Sequence, residues 1–403
     1  MNREFKATFI EKIMAVLIFV LSYVYLSAFC ESEIVCRVLM GVFVLGFVAF
    51  GEVLYRSRKR TVESSIFLCF TILIAIAYCF NIGKVWDELS KVFFLHLYAV
   101  YWVLVRSDSL AEGETSHLFA FDGLTGFAIM PFTNYPLGLE TIGSIFAGVK
   151  TKDKKRIIMT LAAIAVGGIL FISAMSFLKD SDANFKAIMS IFEFEFNWEY
   201  FWRFVFSIFI GLYLYGLFGG CLRTDRAEIR GRGSKLNAFI LRLNKIPGFI
   251  WVMFIALFSV FYIVFFLLQG SYLFDALSMI LPENYTFSQN AHKGFDDMCA
   301  VMVINFVLMW LTARTGEKKS AALKIAGAVL MAESLMFALI AFLKLYMYIK
   351  VYGFTPLRLQ SVWLVLVLAY ACVCILISLF TKKKTGRLWF IGSAASLSIL
   401  MLI

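Results

Sequence analysis

Apolar runs of about twenty residues recur from one end of this chain to the other, separated by short polar connections, and that is the length at which a helix crosses the hydrocarbon of a bilayer. Within the runs apolar side chains point in every direction, without the alternation that the strands of a membrane barrel require. The pattern therefore predicts helices over 13–30, 34–54, 64–82, 90–105, 157–178, 204–222, 249–268, 298–313, 322–346, 360–380 and 388–403. The expected fold is an all-α polytopic transmembrane bundle of about eleven spans, with 1–403 forming a single integral membrane domain. The first run ends in Cys30-Glu31-Ser32-Glu33 with no small-x-small cleavage site, so it is expected to stay in the mature protein.

Two neighbouring segments compete for the fourth crossing. Only about fourteen apolar residues lie between Lys91 and Arg106, which is short for a span. The stretch from Phe127 to Val149, FAIMPFTNYPLGLETIGSIFAGV, is long enough but carries Pro131, Asn134, Pro136 and Glu140. Proline there frees backbone carbonyls that lipid cannot satisfy, so such a segment survives only packed inside protein or lining water. Either 90–105 crosses and 127–149 dips back into the bundle as a re-entrant segment, or 127–149 crosses and 90–105 lies flat. The prolines and the asparagine favour the first. Asn134, Pro136 and Glu140 become site candidates, because transporters bind solutes and ions at broken helices near the membrane midplane. A kinked helix without a ligand is the plainer alternative.

Composition agrees with this class, and charge adds a topology. Hydrophobic residues are 61% of the chain and aromatic residues 17%, with a mean hydropathy of +0.84, well outside the range of water-soluble domains. The net charge of +11 is unevenly spread. Connections containing Arg56-Ser57-Arg58-Lys59-Arg60, Lys150 to Arg156, Arg223 to Lys245, Arg314 to Lys324 and Lys382 to Arg387 are basic. Those between them carry Glu31 and Glu33, Asp87 and Glu88, Asp180 to Glu199, and Asp275 to Asp297. With the amino terminus inside, about 28 Lys and Arg fall on the cytoplasmic side, as the positive-inside rule asks. The carboxyl terminus is then outside, and the expected location is the bacterial cytoplasmic (inner) membrane. Charge scattered over short loops forms no single basic face, so nucleic acid is not an expected partner. The bilayer is one partner, and the basic inner loops could meet a protein. After Arg230-Gly231-Arg232-Gly233, a short amphipathic run from Leu236 to Leu243 is expected to lie at the inner leaflet.

Catalytic signatures such as a P-loop, G-x-S-x-G, H-E-x-x-H or a dinucleotide fingerprint do not occur. No cofactor and no metal site are expected. The eight cysteines lack any Cys-x-x-Cys spacing and read as small apolar fillers, although Cys30 and Cys36 flank one outer loop and could pair. His96, inside a span, reads as a packed histidine.

The informative polar residues lie in the last third. YTFSQNAHKGFDDMC, from Tyr285 to Cys299, places His292, Asp296 and Asp297 beside a span. Glu333 falls near the middle of 322–346, where an ionised carboxylate costs a few kcal/mol on insertion scales and must meet protein, water or a cation. Lys344 follows on the same helical face, roughly 16 Å away by helix rise, and Tyr348 and Tyr352 continue that face. One polar seam through Glu333, Lys344 and Tyr348, opening toward His292, is expected. Gly353 and Pro356 in YGFTPLR should end the helix, leaving Arg358 at the start of the next. Both turns fall on the outer side, so Arg358 is expected to pair with Asp296 or Asp297, or to touch Tyr285.

AHKGFDDM (Ala291 to Met298), with Asn305 below it, and the K-x-x-x-Y-x-x-x-YGFTPLRL stretch (Lys344 to Leu359) resemble the paired signature of a bacterial polytopic membrane family, domain of unknown function four-one-seven-three, and its relative four-one-five-three. The resemblance is strongest over 270–380 and marks Ala291, Gly294, Phe295, Tyr348, Tyr352, Gly353, Thr355 and Arg358. His292 and Lys344 stand where that signature has arginine, so a role needing a guanidinium fork does not carry over. The family implies an all-helical membrane protein and no particular activity.

Three classes of function fit these residues. The leading one is a transporter-like or solute- or lipid-binding protein, with Glu333 and Lys344 inside and Tyr285, His292, Asp296, Asp297, Tyr348, Tyr352 and Arg358 at an outer gate. The second is an accessory or sensory subunit that binds an envelope ligand or a protein partner. The third is a membrane enzyme acting on lipid-linked substrates, with His292, Asp296 and Asp297 as acid/base groups or metal ligands. Against all three stands a purely structural pairing of the two turns.

Overall fold

The computed structural model describes residues 7–145, 198–242, 247–277, 287–315, 321–381, 383 and 385–403, with scattered positions between 159 and 174. Every regular element among them is helical. In chain order these are α1 (Phe9–Ser27), α2 (Glu33–Leu54), α3 (Val62–Cys79), α4 (Glu88–Arg106), α5 (Phe119–Leu124), a π-turn (Thr125–Ile129), α6 (Met130–Thr133) and α7 (Leu137–Ile145). They continue as α8 (Trp198–Arg223), α9 (Arg226–Arg242), α10 (Gly248–Leu277), α11 (Phe287–Thr315), α12 (Ala321–Tyr352), α13 (Pro356–Phe380) and α14 (Gly386–Leu400). Nine of the described helices are long and apolar enough to cross a membrane, and α14 is a shorter apolar helix. The bundle is a multi-pass membrane architecture. The expected span at 157–178 falls largely outside the described residues.

The chain divides into two compact units, one of residues 1–59 and 125–223 and one of 60–124 and 224–403. In the first, α8 packs along α1 and also meets α2, α6 and α7. The 119–145 stretch breaks where its prolines require: α6 stops at Thr133 and α7 starts at Leu137, with Asn134 and Pro136 between. Side-chain donors reach carbonyls of that stretch. Tyr213 donates to Phe127 O at 2.8 Å, and Asn134 Nδ2 donates to Met130 O at 2.9 Å. Such bonds are what a broken backbone needs wherever water cannot satisfy it. Meanwhile α4 runs unbroken for 19 residues, long enough to cross. Glycines on α8 admit the broken segment: a Cβ on Gly220 would lie 2.6 Å from Asn134 Nδ2, and one on Gly216 would collide with the Pro131 carbonyl.

Ion pairs hold both ends of α8. Arg203, buried near its start, bonds Glu31 at 2.5 Å and also pairs with Glu199. Arg223 at its end donates Nε to Glu11 at 3.0 Å, while the other Glu11 oxygen closes a capping box with Thr8. Cys30 and Cys36 form no disulfide, and neither do the other cysteines.

In the second unit α12 is the central helix, packed against α10, α11 and α13, while α14 joins α13 to α3. Gly353 at φ +77° and Pro356 at the first turn of α13 end one helix and begin the next, with Thr355 as N-cap. Only glycine adopts that φ without strain. Helix α9 starts at Arg226 and is far longer than the run expected at 236–243. Its Ile229 and Gly233 are buried, and Gly233 lies against Ala111. The inward face of α9 therefore packs on protein.

Candidate functional site

Within the spanning helices, side chains of α10, α11 and α12 form three interhelical hydrogen bonds among the described residues. Ser259 on α10 donates to the buried Glu333 carboxylate at 2.9 Å. One turn along, Tyr262 OH donates to Asn305 Oδ1 at 2.8 Å, and Asn305 Nδ2 donates to Ser334 Oγ at 2.9 Å. Asn305 thus clasps three helices from within the core. Interhelical hydrogen bonds in membranes contribute about 0.6 kcal/mol on average and up to about 1.7, because the separated helices also find partners. The clasp fixes helix rotation more than it adds stability.

The expected seam is interrupted. On the α12 face between Glu333 and Lys344, Phe337, Ile340 and Ala341 are buried in the apolar core. The Phe337 ring stacks with Tyr262, Phe265 and Phe266, with centroids 4.9, 5.5 and 4.8 Å away. Lys344 is half-buried beyond this block and makes no hydrogen bond or ion pair among the described residues.

At the far end of α12, Tyr348 and Tyr352 stack at 5.2 Å, and the Arg358 guanidinium lies 4.1 Å from the Tyr348 ring. Arg358 Nη1 donates to Tyr352 O at 2.8 Å and to Gly353 O. The expected pairing of Arg358 with Asp296 or Asp297 is corrected here: among the described residues it forms no such ion pair, and both aspartates are exposed. The carbonyls left open by the turn at Gly353 are the nearer acceptors, and a planar cation stacks well on tyrosine. Tyr285 and the side chain of His292 lie outside the described residues. Asn134 is half-buried against Gly220 of α8, whereas Pro136 and Glu140 are exposed. His96 donates to the Val92 carbonyl at 2.6 Å, a packed histidine.

A second polar cluster lies where α4 ends and α3 and α14 begin, the end that the basic connections assign to the cytoplasm. Here the 107–118 loop folds under the helices. Glu63, 5% exposed in the first turn of α3, accepts from Thr115 N at 3.1 Å, from the Thr115 hydroxyl, and from Arg387 Nη2 at 2.7 Å. Tyr101 OH lies 2.9 Å from the same hydroxyl. Because Thr115 donates its proton to Glu63, Tyr101 donates to Thr115, giving a relay from Tyr101 to the carboxylate. Arg387 also binds Glu114 at 2.5 Å. Asp122 on α5 accepts from Ala111 N at 2.8 Å.

The loop is fastened to α9 as well. Asp108 meets Arg226 at 3.0 Å and Arg230 at 3.8 Å. Asn237 bridges Glu112 and His117 at 3.1 Å each. No group of three or more His, Cys, Asp or Glu that could hold a metal occurs among the described residues.

The sequence reading did not single out this cluster. Its signal was present in RSDSLAEGETSHLFAFDG, Arg106 to Gly123, which puts four carboxylates in an otherwise basic side of the topology. Acids there call for cationic partners, here Arg226, Arg230 and Arg387. Which arginine meets which acid depends on helix packing.

The chain matches the family described as Domain of unknown function (DUF4153) over residues 68–403. That range runs from within α3 to the last residue and includes the first polar cluster and the second apart from Glu63, so the likeness extends well beyond 270–380. The comparison with curated proteins and the comparison with solved structures each return no match. With its apolar helices and a match over most of its length, the chain is a multi-pass membrane protein that belongs to the Domain of unknown function (DUF4153) family.

Proposed function

We propose that the protein is transporter-like, a solute- or lipid-binding membrane protein of the bacterial cytoplasmic membrane in which Glu333 handles a proton or small cation. One observation carries this reading: a carboxylate buried within a spanning helix has a single serine hydroxyl as its partner among the described residues. Charged groups at that depth are costly and mark the paths of ions and protons. Phe337, Ile340 and Ala341 act as a closed gate between Glu333 and an outer mouth formed by Lys344, Tyr348 and Arg358. In liposomes loaded with a pH-sensitive dye, an imposed proton gradient should drive faster proton entry than in empty vesicles. Glu333→Gln should reduce that entry to background with unchanged circular dichroism. Equal flux in wild type and variant would sink the role of Glu333.

The same apolar block supports a second reading, an accessory or sensory subunit whose basic inner loops bind a protein partner. Absence of any wild-type proton flux, together with cross-linking of a specific protein through α9, would put that reading first. For orientation, the amino terminus is inside and the carboxyl terminus outside, by the alternation of Lys and Arg. On a cysteine-free background, a thiol reagent applied from outside should label Ser181→Cys and spare Ser234→Cys; the opposite pattern would invert the topology.

A further inference from the structure

One carboxylate in the cytoplasmic-end cluster is left half satisfied by its surroundings. Asp122 is 1% exposed; its Oδ1 accepts from Ala111 N, and its Oδ2 is buried with no hydrogen-bond partner among the described residues. The ionisable groups around it are Glu112 from the loop, Glu63 from α3 and Tyr101 from α4. Two of these three are acids. Arg387, a cation of the cluster, is engaged by Glu63 and Glu114. An ionised Asp122 would therefore keep one buried oxygen without a donor among the described residues, beside like charge, and that is costly in a buried site. A neutral carboxylic acid escapes the charge penalty and keeps its bond to Ala111.

We propose that Asp122 is a proton-binding site and that its proton is the latch holding the 107–118 loop closed beneath the helices. The proton comes from water at that face of the protein and returns to it. With the proton bound, the loop stays docked, and Asp108, Glu112 and His117 hold α9 in place. With the proton lost, the carboxylate is drawn toward water and takes the Ala111 contact with it, loosening α9. This centre is separate from Glu333 and does not depend on the transport reading.

Burial is the main cause that pushes the Asp122 carboxyl up to about 6, the Ala111 N–H opposes it, and Glu112 and Glu63 add to the rise. The sign follows from linkage. A carboxyl whose value is raised in the closed loop favours closure fully at pH below its ordinary range, and that preference is lost as pH rises through about 6.

Hydrogen exchange of the full chain in detergent, corrected for the intrinsic pH dependence, tests this on peptides covering 107–123. Protection in the wild type should fall on the order of tenfold between pH 5 and 7.5, the linkage expected over that span. Asp122→Asn, which keeps an acceptor for Ala111, should be pH-independent and at least as protected at pH 7.5 as the wild type at pH 5. Glu112→Gln removes a neighbouring charge and should move the wild-type midpoint to lower pH without abolishing the transition. It also supplies a readout should Asp122→Asn not fold. A wild-type loop whose corrected exchange does not vary with pH would overturn the proposal, as would an unshifted midpoint in Glu112→Gln or a persistent transition in Asp122→Asn.

Discussion

Arg387→Ala is expected to destabilise the second unit by about 3 kcal/mol, the lower end of the cost of leaving a buried charge without its partner. Glu63 would keep the Thr115 donors but lose its cation. The lower end applies because Arg387 itself is 41% exposed, so water can enter the space it vacates. Removing the charge with its partner should reverse much of the loss: Glu63→Gln with Arg387→Ala leaves a neutral amide that still accepts from Thr115. Chemical unfolding of the four forms in detergent gives the double-mutant cycle. Strictly additive single effects would mean that the two groups are not coupled. Glu114 pairs with the same arginine but is well exposed, so Glu114→Gln should shift stability by well under about 1 kcal/mol.

The second large effect is expected in the first unit from Gly216→Val. A Cβ there meets the Pro131 carbonyl oxygen, a backbone atom that cannot move aside without shifting the whole broken segment. Overpacking of this kind costs typically about 1–3 kcal/mol. The upper end is expected here, because the displaced segment would also lose the Tyr213 bond to Phe127 O. Membrane helices approach closely only where residues are small, and α8 supplies Gly216, Gly219 and Gly220 along the surface that receives Pro131, Asn134 and Leu137. Gly143 on α7 has open space around its Cα. Gly143→Ala is therefore the matched control, neutral or slightly stabilising through helix propensity. Thermal unfolding in detergent and proteolysis of the 119–145 segment separate the two. Equal behaviour of the two variants would show that the close approach at Gly216 does not hold the segment in place.

Several features were legible in the chain alone. A backbone in lipid must satisfy its own hydrogen bonds, so each long apolar run had to be a helix, and ten of the eleven expected spans coincide with described helices. Proline and glycine act locally, so the break around Asn134 and Pro136 and the turn at Gly353 could be placed without knowing their neighbours. Glu333 stood out because a carboxylate inside an apolar run is expensive wherever the helix points.

What tertiary structure alone decided is which way each helix faces. In α10 apolar residues fall on every face, yet Ile255 is 1% exposed and Leu267 75% exposed, because hydropathy does not distinguish a lipid contact from a protein contact. Phe337 stands between Glu333 and Lys344 by its place in the chain, but only packing set its ring against Tyr262, Phe265 and Phe266 and so closed the seam that the spacing of the two charges suggested. Packing likewise joined Glu63, Thr115 and Arg387 from distant parts of the chain and left Arg358 on its own turn instead of beside Asp296. The sequence determined the spans, the breaks and the cost of each buried charge through local chemistry. The partners that meet those charges were set by helix rotation and register, which arise only when many side chains pack together.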